Sequence, residues 1–229
     1  MMKKIILILI LVILLGTQFF LPSYTAKQIA NSIKTEVDNY QTVDVKVKSV
    51  PALKLLLKSA DEVEVQGQNI VIDRLQLASL QAHFENLKVQ EEKERQVIAG
   101  ENTRLYILLR ENDLNQYLRT KEELDIFKRI KVDITPQQVI LNGVISIFDA
   151  EVNLQLTGDF VVVKDKKIVF KSDKLAVENF LISTSSIEQL KDKLQFELDL
   201  RELPLPLDVR QVKLKSDGLE IIGPSSENN

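Results

Sequence analysis

The sequence predicts an α+β protein, with long antiparallel strands, a few helices to cover one face, and an apolar helix leading the chain. Three observations carry that expectation. Apolar and polar residues alternate through segment after segment, the period of a strand with one buried face. Two stretches near the N-terminus switch to helical spacing. Eleven consecutive apolar residues, Ile5 to Leu15, follow the basic start Met1-Met2-Lys3-Lys4.

The leader comes first. Ile5 to Leu21 would rise about 26 Å as a helix, the lower limit for a bilayer core of ~30 Å. With Lys3 and Lys4 on the cytoplasmic side, everything after Pro22 faces the other side of the membrane. Residues 1–22 are therefore expected to be a membrane anchor or a signal segment. Signal cleavage favours small residues at −3 and −1, and Tyr24-Thr25-Ala26 places a tyrosine at −3. An uncleaved anchor is the favoured reading; cleavage would give a secreted or periplasmic protein. The chain has no cysteine, which excludes lipoprotein processing, disulfides and thiolate metal sites.

Residues 25–223 are expected to form one domain, followed by a disordered polar tail at 224–229. An apolar content of 45% is enough for a core. Net charge is −3, and leaving out Lys3 and Lys4 takes it to −5, which argues against a nucleic-acid partner and against simple electrostatic adhesion to anionic lipid.

Thr25 to Tyr40 reads as an amphipathic helix, with Ile29, Ile33, Val37 and Tyr40 in one stripe. Val43, Val45 and Val47 then alternate as a strand. Pro51 suits the start of a short helix, Ala52 to Ala60, with Leu53, Leu56 and Leu57 on one face. Val63 and Val65 resume the alternation, and Gly67-Gln68-Asn69 offers a turn. From Ile70 to Val89 the apolar parity changes between Ile72 and Leu75, between Leu77 and Leu80, and between Phe84 and Leu87. Each change flips the buried face and predicts a turn or bulge. Leu105 to Leu109 is a strand. Asp113 with Gln116 looks like a helix cap, with helix continuing towards Phe127. Strands follow at Ile130–Ile134, Val139–Phe148 with a bulge at Gly143, Val152–Leu156, Phe160–Val163 and Ile168–Phe170. Ser185 with Glu188 predicts another capped helix. Phe196–Leu200 returns to strand, Leu203–Leu207 is an extended, proline-interrupted edge, and Val209–Ile222 closes the chain as a hairpin.

Catalytic machinery is scarce. His83 stands alone in an extended segment, and a triad or metal site needs partners. No phosphate-binding glycine loop, nucleophile elbow or zinc-protease motif is present. The acidic pairs Glu91-Glu92 and Glu122-Glu123 lie among lysines and read as solvated faces. Lys164, Lys166 and Lys167 read as a soluble hairpin tip, with contact to phosphate headgroups as the alternative. No enzyme activity, cofactor or metal is expected.

Read as a whole, the chain resembles the LmeA-like family of bacterial phospholipid-binding proteins. The resemblance lies in Val43-x-Val45-x-Val47 leading to Ser49-Val50-Pro51-Ala52-Leu53, in Val63-Glu64-Val65, and in Asn112-Asp113-Leu114-Asn115-Gln116-Tyr117-Leu118. It ends with Leu205-Pro206-Leu207 through Ser216-Asp217-Gly218-Leu219. It implies a tubular lipid-binding-like fold, a curved antiparallel sheet wrapped round a long helix, working on envelope lipids outside the cytoplasm. The family pattern carries a glycine after Leu57, where this chain has Lys58-Ser59.

The expected function is a membrane-tethered, extracytoplasmic phospholipid-binding or lipid-transfer protein. Its partners are phospholipid or another envelope lipid, and the membrane through the N-terminal helix. The apolar candidates for lining an acyl-chain site are Ile29, Ile33, Val37, Leu53, Leu56 and Leu57. The alternative is a non-enzymatic envelope scaffold with a closed core; an envelope hydrolase has only the acidic pairs in its favour.

Overall fold

In a computed structural model of the chain, the described residues are 2–92, 95–147, 150–164, 166–177, 196–205 and 208–224. Strand alternation decides where the sheets face. In β1 (Thr42–Lys48) the three valines are buried and the residues between them exposed. β1 pairs with β2 (Ser59–Ile72), β2 with β3 (Leu75–Glu92), and β3 with β4 (Arg95–Arg110), all antiparallel. The C-terminal hairpin, β10 (Gln211–Lys215) and β11 (Gly218–Ile222), returns to this sheet by pairing β11 with β4. The resulting order is β1-β2-β3-β4-β11-β10. The second sheet, β5-β6-β7-β8-β9, is a meander of β5 (Phe127–Ile134), β6 (Val139–Ile147), β7 (Ala150–Val163), β8 (Lys167–Val177) and β9 (Glu197–Asp199). The architecture is mostly antiparallel sheet, one part curled into a half-barrel, with few helices.

Two predicted parity changes are visible. Asp73-Arg74 makes the β2–β3 turn, both residues in the left-handed region, and the β3–β4 register shifts between His83 and Lys88, where Asn86 is also left-handed. The turn expected at Gly67-Gln68-Asn69 does not form. β2 runs straight through it, and Asn69 takes up the irregularity at φ 47°. A side-chain amide tolerates that conformation better than most residues do.

The helices differ more from expectation. α1 runs unbroken from Met2 to Glu36 with Pro22 inside it, so the leader and the predicted amphipathic helix are one element. It ends before Tyr40 because β2 captures the next residues. The Asp38 amide donates to the Val71 carbonyl (2.9 Å) and the Val71 amide to the Asn39 carbonyl (2.8 Å). α1 packs chiefly on the edge strand β1, not through the middle of a wrapped sheet. Among the described residues no helix is long and apolar enough to cross a membrane, and the side chains of Ile5–Leu15 lie outside the described set.

The short helix expected at Ala52–Ala60 is a 3-10 segment, η1 (Ala52–Leu57). It stops at Lys58, whose φ of 55° is left-handed, and Ser59 already belongs to β2. Glycine adopts that geometry without the steric cost that a side chain carries. α2 spans Glu111–Leu118, with Arg110 at its N-cap and no side-chain cap. Asp113 is therefore not the cap but a buried residue of the first turn, and the helix stops well before Phe127. The helix expected after Ser185 and the tail 225–229 lie outside the described residues.

One contiguous apolar core joins the two sheets, with Ile107, Leu109 and Leu219 from the first and Leu141, Leu156 and Phe170 from the second. Phe160, Phe170 and Phe196 pack ring to ring at 5.4–5.8 Å.

Candidate functional site

The joint between the sheets is α2, the segment between β4 and β5, and Asn115 holds it in place. This buried side chain accepts from the Val132 amide and donates to the Val132 carbonyl, both at 2.7 Å, and also donates to the Glu111 carbonyl at 3.0 Å. Glu111 in turn accepts the Ile134 amide at 2.7 Å. β5 is an edge strand, and these contacts satisfy backbone groups that a sheet neighbour would otherwise pair.

Beside this joint lies a cavity of about 830 Å³, formed by the C-terminal end of α2, the turn after it, and β5, β6 and β7. That volume falls in the range of small-molecule sites, ~300–1,000 Å³. Its floor is apolar: Leu118, Leu124, Phe127 and Leu154 are all buried. Phe127 lies over Gly143, where a Cβ would come within 2.2 Å of the ring, so the glycine makes room for an aromatic wall. The bulge predicted at Gly143 falls on the partner strand, where the β5–β6 register shifts between Phe127 and Arg129.

The rim is cationic. Arg119, Lys121, Lys128, Arg129 and Lys131 line the cavity against a single carboxylate, Asp125. Lys128 and Arg129 share Glu151 at 3.3 and 3.5 Å, and Lys131 pairs with Asp133. The hydrogen bond to Asp133 holds the Lys131 ammonium above the ordinary lysine value. Lys121 stands 4.5 Å above the Tyr117 ring and 3.7 Å from Asp73, and burial pushes the Tyr117 phenol up. Arg119 makes no ion pair among the described residues. An apolar floor beneath fixed cations suits an amphipathic anion with a hydrocarbon part.

None of the six apolar residues singled out in the sequence lines this cavity. Ile33 is in the core, and Ile29 and Val37 are half-buried against it. Leu53, Leu56 and Leu57 are exposed on η1, at the α1 corner of the other sheet. Periodicity identified apolar faces correctly but carried no information on what covers them. The cations of β5 that line this cavity were not among the residues singled out; their alternation with Phe127, Ile130 and Val132 was the available signal.

His83 is less isolated than its place in the chain suggests. Strand pairing sets it opposite Glu64, 3.9 Å from Glu64 and Glu62 and 3.3 Å from Glu85. Glu62, Glu64 and His83 could together offer ligand atoms to a metal ion. Lys48 already pairs with Glu62 across the strands at 2.7 Å and draws its pKa down, so one of these three ligand groups is engaged by a cation of the protein itself.

Antiparallel sheets with an apolar, cation-rimmed cavity have the chemistry that an amphipathic anion would fit. The chain matches the LmeA-like phospholipid-binding family over residues 16–223, nearly its whole length, and belongs to that family. The family is one of lipid binding, not of enzymes. No curated protein and no solved structure matches the chain.

Proposed function

We propose that this protein is a membrane-tethered phospholipid-binding or lipid-transfer protein of the bacterial envelope, with its domain on the extracytoplasmic side. The observation that carries the proposal is the cavity beside α2, where buried Leu118, Leu124, Phe127 and Leu154 lie beneath Arg119, Lys128, Arg129 and Lys131. Acyl methylenes would leave water at about 0.8 kcal/mol each, and the cations would receive the headgroup phosphate. α1 supplies the tether. It carries Ile5–Leu15 in the same helix that packs on β1, with Lys3 and Lys4 at the cytoplasmic end. N-terminal sequencing of the mature protein separates this anchor from a cleaved leader.

The test is photocrosslinking of the full chain, reconstituted with a phospholipid carrying a photoreactive acyl chain. Adducts are expected on peptides of β5, β6 and β7, and Val144→Trp, which fills the cavity from its lining, should remove most of them. A crosslinking pattern that ignores these strands and is unchanged in Val144→Trp would defeat the reading. The alternative, a non-enzymatic envelope scaffold, is favoured by the contiguous core, and it expects no specific adduct.

A further inference from the structure

We infer that the corner where α1 crosses η1 is a membrane-docking surface that enters a phospholipid bilayer at the boundary between headgroups and acyl chains. It rests on the tether of the function proposed above, and not on the cavity. Among the described residues, eleven large hydrophobic side chains are exposed, and seven of them gather at this corner: Phe19, Phe20, Tyr24, Val50, Leu53, Leu56 and Leu57. Leu57 is 81% exposed and Phe19 79%. A cluster of this kind on a soluble surface marks an interaction site.

The outward face of α1 indicates which partner. Between Gly16 and Thr25 the exposed side chains are Phe19, Phe20, Ser23 and Tyr24, three of the four aromatic, with Phe20 and Tyr24 stacked. After Thr25 they are Lys27, Gln28, Asn31, Ser32, Thr35 and Glu36. Aromatic residues at such a switch are the mark of a bilayer–water boundary. The spacing agrees, since Lys4 and Tyr24 are about 30 Å apart along a helix, the thickness of the hydrocarbon core.

η1 lies on the lipid side of that boundary. Gln18 donates to the Ser49 carbonyl at 2.7 Å and accepts the Ala52 amide at 2.8 Å, which fixes the start of η1 level with Gln18. Gln18 is about 9 Å closer to the cytoplasmic end than Tyr24, a depth within the ~5–10 Å typical of interfacial segments. The loop is held there, because Asp61 accepts both the Val50 amide and Lys54 at 2.7 Å. The charges suit phosphate as well. No acidic residue occurs between Gly16 and Thr35 or between Ser49 and Ala60; Lys54 is taken up by Asp61, and Lys27, Lys34 and Lys58 are the other basic residues of these stretches, in a chain of net charge −3.

The chain's lack of cysteine permits a direct test. Leu57→Cys, Phe20→Cys and Val161→Cys, each carrying a polarity-sensitive fluorophore, are reconstituted as full chains into phosphatidylcholine–phosphatidylglycerol vesicles containing doxyl-labelled lipid. The labels at positions 57 and 20 should shift to the blue and be quenched by shallow doxyl groups, while the label at 161, on β7, stays in water. Adding Leu53→Glu and Leu56→Glu should abolish quenching at position 57 and leave it intact at position 20; these side chains are exposed, so the fold tolerates the change. Quenching at position 20 with position 57 still in water overturns the docking surface and leaves the tether standing. Absence of quenching at both positions overturns both. A label at 57 that leaves water without doxyl quenching shows cover by a second copy, and also overturns the inference.

Discussion

The molecule presents two apolar surfaces of opposite shape. At the α1–η1 corner, Leu53, Leu56 and Leu57 stand out from the domain on a short segment with basic neighbours. Beside α2, Leu118, Leu124, Phe127 and Leu154 lie at the bottom of a cavity with cations above them. Much the same residue types serve a projecting surface in one place, from a single short segment, and a recess in the other, from residues far apart in the chain. The difference lies in the second sheet, which gives the recess walls, and in its absence at the corner. A projecting apolar surface suits an extended partner such as a bilayer face; a recess suits a single molecule.

If the recess depends on the α2–β5 joint, breaking that joint should affect it first. Asn115→Leu leaves the Val132 amide and carbonyl buried without partners, and is expected to cost about 3 kcal/mol of stability and to lower lipid occupancy. Thermal unfolding measures the first and lipid extraction the second, while doxyl quenching at position 57 should persist in the folded fraction. Next in size is the rim. Lys128→Glu with Arg129→Glu should weaken uptake of anionic phospholipid about tenfold, or ~1.4 kcal/mol, with the loss shrinking at high salt. An equal loss for a neutral lipid analogue would show that the rim is not reading charge.

A smaller effect is expected at Asp113, which is buried with Oδ2 unpaired among the described residues. Burial raises its pKa, with Arg110 partly opposing. A raised folded pKa means that the protonated form favours folding. That contribution is present below the unfolded value of ~3.9 and is lost as pH rises through the folded one. Asp113→Asn should therefore melt higher than the parent at pH 7 and converge with it near pH 3. The smallest effect belongs to the corner. Lys58→Gly removes a left-handed non-glycine residue, and after the extra unfolded-state entropy of glycine the net gain is about 0.5 kcal/mol.

Much of the sheet structure was legible in the sequence, because alternation is a local signal. The β1 valines, the turn after Ile72 and the irregularity near Phe84–Leu87 all follow from it. The helices were less legible. Pro22 and Asp113 carry local signals for a break and a cap, and tertiary packing overrides both: α1 continues through the first, and α2 begins ahead of the second. The site was the least legible. Its cations come from β5 and the turn after α2, and its floor draws on β7, so no short window contains it. Val37 and Leu57 look alike in the chain, yet one is half-buried against the core and the other stands in solvent.

The return of the C-terminal hairpin to the first sheet bears on the order in which the chain emerges. β4 ends at Arg110, and its neighbour β11 begins at Gly218, so more than a hundred residues must be made before that edge is paired. Gly218 is what lets the two strands close, since a Cβ there would come within 2.2 Å of the Leu109 carbonyl oxygen. A chain stopped short of β11 presents an unpaired edge of Tyr106, Ile107, Leu108 and Leu109, open to other strands. Synthesis of β11 and protection of the β4 edge are thus the same event, and a chain truncated before Gly218 is expected to be found in aggregates.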